Sequence, residues 1–69
     1  MIKVLVENQS KNTVTFNLPE LNLKFLYVRS GEGPLMFMSL IGGDDVLQEW
    51  RGSKAKELKE ILMGVSDDN

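Results

Sequence analysis

The sequence predicts a mainly β (α+β) fold: a five-stranded antiparallel meander or small barrel, closed by one C-terminal helix. Three observations carry this reading. Apolar residues alternate with polar ones through most of the chain before Ser53, the spacing that places side chains on one face of a strand. Polar or glycine-rich breaks divide that stretch into short runs. After Ser53 the apolar spacing changes to three and four, the period of a helix face.

The first run, Ile2 to Glu7, sets Ile2, Val4 and Val6 against Lys3, Leu5 and Glu7. It reads as a half-buried strand rather than a leader, because charges interrupt the apolar residues. Asn8 to Asn12 is rich in side chains that bond their own backbone, so a hairpin loop is expected there. From Thr13 to Leu18 the alternation is clean, with Val14, Phe16 and Leu18 on one side. Pro19 lacks an N–H for a ladder, so the chain must turn at Pro19-Glu20 before resuming.

Leu21 to Arg29 places Leu23, Phe25 and Tyr27 on one face and Leu26 and Val28 on the other, beside Lys24. Ser30-Gly31-Glu32-Gly33-Pro34 has the composition of a hairpin loop whose glycines can take positive φ. Leu35 to Ile41 follows, with Leu35, Phe37 and Ile41 opposed to Met36, Met38 and Leu40. Gly42 to Asp45 forms a tight turn into a short fifth strand, Val46 to Arg51, in which Val46, Gln48 and Trp50 are expected to align. Ser53 is a good N-cap type, and Ala55, Leu58, Ile61, Leu62 and Val65 form the apolar stripe of an amphipathic helix. Gly64 fits a left-handed C-cap. The domain is therefore expected over residues 1–65, with a polar tail over residues 66–69.

A chain of 69 residues has room for one core, near the lower limit for folding without a staple. With no cysteine and no histidine, disulfides and the usual zinc sites are excluded. Stability must come from packing or from a second copy. A reducing, cytoplasmic setting fits the missing cysteines, and no uncharged apolar run approaches the roughly 20 residues of a membrane span.

The same absences bear on catalysis. Without histidine or cysteine the commonest general base and thiol nucleophile are missing, and no serine sits in a nucleophile-elbow context. Asp44 with Asp45, or Asp45 with Glu49, could form a carboxylate pair, and Gly42-Gly43-Asp44-Asp45 could hold a hard cation, but adjacent acids beside glycines are ordinary turn chemistry. The reading is a non-enzyme with no cofactor, no metal and no catalytic residues. Eight Lys and Arg against ten Asp and Glu give a net charge of −2, which argues against duplex binding.

One helix can cover one sheet face, yet strands three and four are apolar on both, and large exposed apolar patches are rare on monomers. Barrel closure, a homodimer or a protein partner could bury the second face. Leu26, Val28, Met36, Met38, Trp50 and Arg51 are the candidate protein-binding residues, the last two being types enriched at interface hot spots. The expected function is a small interaction module, self-associating or binding a protein partner. A regulator or inhibitor of the kind encoded by phages and mobile elements would suit the size. The alternative is single-stranded nucleic-acid binding by a local patch of Tyr27, Arg51, Lys54, Lys56 and Lys59, with bases stacked on Tyr27 or Trp50; Glu57 and Glu60 interleave with those lysines.

In element order alone the layout resembles two kinds of small protein. One is the group of archaeal chromatin proteins built on a Src-homology-3-like barrel, and the other is a class of dimeric single-stranded-DNA-binding coactivators. The resemblance rests on layout, not on matching residues. The archaeal proteins are strongly basic and this chain is not, so DNA binding does not carry over.

Overall fold

A computed structural model of the chain describes residues 3–30 and 35–66. Five strands form one antiparallel sheet in sequence order: β1 (Leu5–Glu7), β2 (Thr13–Leu18), β3 (Leu23–Arg29), β4 (Met36–Gly42) and β5 (Asp45–Arg51). The helix α1 (Ser53–Val65) follows directly. Among the described residues β1 pairs with β2 and β5 with β4, and the two edge strands do not meet. The sheet is open.

Local chemistry explains the connections. Between β1 and β2 the Thr13 amide donates to the Ser10 hydroxyl (3.2 Å), and the Ser10 amide donates to the Thr13 carbonyl (2.8 Å). The short polar side chain substitutes for a ladder partner, as expected of this loop type. Pro19 opens a 3-10 turn, Pro19–Leu21, which Asn22 ends in the left-handed region at φ 54°. Leu21 therefore belongs to the turn, and β3 starts two residues later than its apolar pattern suggests. The glycine-rich loop expected after Ser30 falls at residues 31–34, outside the described residues. At its margins the Ser30 amide donates to the Leu35 carbonyl at 2.8 Å, holding the ends of β3 and β4 together.

Two expectations about β5 and α1 need correction. A bulge at Leu40/Ile41 pairs Leu40 with Gln48 but Ile41 with Val46, so Leu47 is the extra residue. Val46 thus lies on the opposite face from Gln48 and Trp50, because a bulge shifts the alternation by one. The helix, moreover, is not capped by Ser53. Gly52 occupies the N-cap at φ 64°, ψ −135°, with no side-chain hydrogen bond, and Ser53 is already helical. That backbone geometry is essentially reserved for glycine, and the sharp bend from β5 into α1 requires it.

Gly64 is likewise not a left-handed cap. It lies inside α1, and among the described residues the positive-φ glycines are Gly43 and Gly52. The helix ends at Ser66, which is extended and donates its hydroxyl to the Met63 carbonyl.

The core lies between one sheet face and α1. Val4, Val14, Phe16, Leu18, Tyr27, Met38, Ala55 and Leu62 are buried, and Phe16 and Met38 are fully enclosed. Burying each of those two side chains is worth about 1.5–3 kcal/mol. Of the predicted helical stripe, Ala55, Leu58 and Leu62 face the core, whereas Ile61 and Val65 remain exposed. The helix packs mainly on β4 and β5, which leaves Ile61 and Val65 exposed on its outer side. Among the described residues no helix is long and apolar enough to cross a membrane.

Candidate functional site

Strand register assigns every side chain to a face. Val14 pairs with Tyr27, Tyr27 with Met38 and Met38 with Trp50. Directly paired residues share a face, so this row lies under the helix with Phe16 and Phe25. The rings of Phe25 and Trp50 approach at 6.1 Å, tilted by 35°, within the range of favourable aromatic contact.

The opposite face has no covering element among the described residues. One row crosses it as Thr13, Val28, Phe37 and Arg51, and the next as Glu7, Thr15, Leu26, Ser39 and Glu49. A third runs Leu5, Asn17, Lys24, Ile41 and Val46. Leu26, Val28, Phe37 and Ile41 therefore form an apolar centre on the two middle strands. Neutral Thr13, Thr15 and Ser39 sit beside it. At the rim, Asn17 donates its side-chain amide to Glu7 Oε2 at 3.0 Å, and the Arg51 guanidinium lies 5.8 Å from the Phe37 ring centroid.

The six protein-binding candidates divide between these faces. Leu26, Val28 and Arg51 lie on the open face. Met36, Met38 and Trp50 lie under the helix, where Met38 is fully enclosed and Trp50 and Met36 pack half-buried against the core. Two methionines separated by one residue and a tryptophan read as interface types by composition, but strand alternation puts all three on the covered face. Phe37 and Ile41 belong to the open patch and were not among the candidates. Their alternation with Met36 and Met38 is the signal that marks them.

The nucleic-acid candidates also separate. Tyr27 is buried in the core, and Lys59 Nζ sits 5.6 Å from its ring centroid, so the ring is not a free stacking surface. Lys56 and Lys59 line a cleft with Tyr27, Arg29 and Met36. Lys54 lines a separate groove with Trp50, Glu57, Leu58 and Ile61, and Arg51 is on the other side of the sheet. Arg29 is the cation that joins this cleft without a helix-period signal, because it comes from the end of β3.

Asp44 and Asp45 are exposed at the β4–β5 turn. No group of three or more residues that could hold a metal ion occurs among the described residues. Comparison of the chain with protein-family models, with characterised proteins and with solved structures gives no match.

Proposed function

We propose that this chain is a non-catalytic interaction module whose open sheet face pairs with the same face of a second copy. The observation that carries this reading is the contiguous apolar centre of Leu26, Val28, Phe37 and Ile41 opposite the helix. Charge complementarity favours a second copy as the occupant. The rim of the face carries Lys24 and Arg51 with Glu7 and Glu49, so an inverted copy can set cations against carboxylates around a neutral centre.

Size fits a weak, concentration-dependent pairing. Strands of 3, 6, 7, 7 and 7 residues, at about 4.8 Å spacing and about 3.3 Å per residue, make a flat face of about 480 Å². That is below the roughly 800 Å² per partner of a standard interface.

Sedimentation across the micromolar range tests the proposal. A concentration-dependent dimer supports it. A monomer at every concentration overturns it, and a monomer that captures a different protein through this face would assign the patch to that partner instead.

A further inference from the structure

Neither the core nor the open face accounts for the cleft on the helix side of the sheet. It measures about 330 Å³ and is lined by Tyr27, Arg29, Met36, Lys56 and Lys59. Among the described residues that line it, three are cations and none is a carboxylate, on a chain whose net charge is −2. The backbone holds the arrangement in place. Arg29 and Met36 are cross-strand partners at the end of β3 and the start of β4, and the Gly52 amide donates to the Met36 carbonyl at 2.8 Å. This bond ties the start of α1 to the start of β4, so the first two turns of the helix overhang the pair.

The charges oppose one another. Lys56 and Lys59 are three apart on α1, where like charges repel, and Lys56 lies in the first turn, where the positive end of the helix dipole disfavours a cation. No acidic residue occurs in that turn. Local rules broken together at one place are expected at functional or strained sites.

We propose that this cleft binds a phosphate monoester. A monoester dianion offers three acceptor oxygens to donors from separate elements, including the fork of an arginine. The volume is at the lower end for small-molecule sites and leaves space beside the phosphate for a small organic group against Met36. A polynucleotide backbone fits less well, because no cationic track continues from the cleft among the described residues. Lys54 faces a groove that also contains Glu57, and Arg51 lies over Phe37 on the opposite face. The proposal does not rest on pairing of the open faces.

The test is a heteronuclear NMR titration of the full chain with inorganic phosphate, a nucleoside monophosphate, a phosphoserine peptide and a single-stranded oligonucleotide without terminal phosphate. Saturable shifts at Tyr27, Arg29, Lys56 and Lys59 with at least one monoester are expected. The stronger of the nucleotide and peptide arms identifies whether the monoester is a free molecule or a modified side chain. R29Q and K59Q should each weaken binding about tenfold or more, the loss of one charge-assisted hydrogen bond. K56E should abolish binding, because it sets a carboxylate in the cleft, and its melting temperature shows whether the fold is kept. If K56E does not fold, R29Q decides alone. The site is refuted if shifts fail to saturate, if they spread equally to Lys11 and Lys24, if R29Q and K59Q bind as the parent does, or if only the oligonucleotide binds.

Discussion

Arg51 holds its guanidinium 5.8 Å from the centroid of the Phe37 ring, directly across the β4–β5 ladder on the face away from the helix. Phe37 remains 37% exposed even so. The guanidinium lies over the ring and still leaves Phe37 available on the open face.

Phe37→Lys therefore places a charge at the middle of the proposed interface without touching the core. The dimer dissociation constant should rise at least tenfold, as for a central hot-spot residue, while the circular dichroism spectrum stays that of the parent. Sedimentation of the variant beside the parent measures it. An unchanged dimer would show that the interface lies elsewhere.

Met38 lies between Tyr27 and Trp50 in the covered row and is fully enclosed. Truncation to alanine should cost about 2–5 kcal/mol through lost contacts and an unfilled cavity. Met38→Asp should fail to fold, because a buried, unpaired carboxylate has no compensation. Urea denaturation followed by Trp50 fluorescence reads both, and a folded Met38→Asp chain that lost only its partner would move Met38 to the interface.

The two glycines at the ends of α1 should respond with opposite signs. Gly52→Ala forces a side chain into φ 64°, ψ −135°, at a cost of about 1–3 kcal/mol. A methyl group at Gly64 meets nothing within 4 Å, and replacing a glycine inside a helix should add about 0.5–1 kcal/mol. Thermal unfolding of the pair tests both, and destabilisation by Gly64→Ala would mean that its lack of a side chain is needed.

Gly42→Ala is a graded case. The added methyl would stand 2.9 Å from Leu47 Cδ1 and 3.3 Å from Leu23 Cδ2. Leu47 is 57% exposed and can swing away, so the loss should stay below about 1 kcal/mol, less than the usual overpacking penalty. In the G42A/L47A double variant the loss should shrink further, which a double-mutant cycle would detect. A cost unaffected by removing Leu47 would place the strain at Leu23 instead.

Much of the fold is legible in the chain. Thr13–Leu18 has its predicted bounds because a clean polar and apolar alternation sits between an Asn-rich loop and a proline. The two-faced character of β3 and β4 is equally direct, since Leu26 with Val28 and Phe37 with Ile41 occupy the phases opposite Tyr27 and Met38. The bulge at Leu47 was not legible. Nothing local distinguishes Val46-Leu47-Gln48 from a regular strand; the extra residue is defined only by its mismatch with β4. The cleft was half visible, as lysines at helical spacing, and Arg29 joined it only when the end of β3 met the start of α1.

The sequence by itself determined the element order, the single amphipathic helix and the excess of apolar faces over covering elements, because these follow from local periodicity and turn chemistry. The tertiary structure decided which face the helix takes, that the described ladder stays open, and that Met38 and Trp50 are core while Phe37 is surface. Those outcomes depend on pairing register and on the bend at Gly52, where residues distant in the chain settle which side of the sheet meets water.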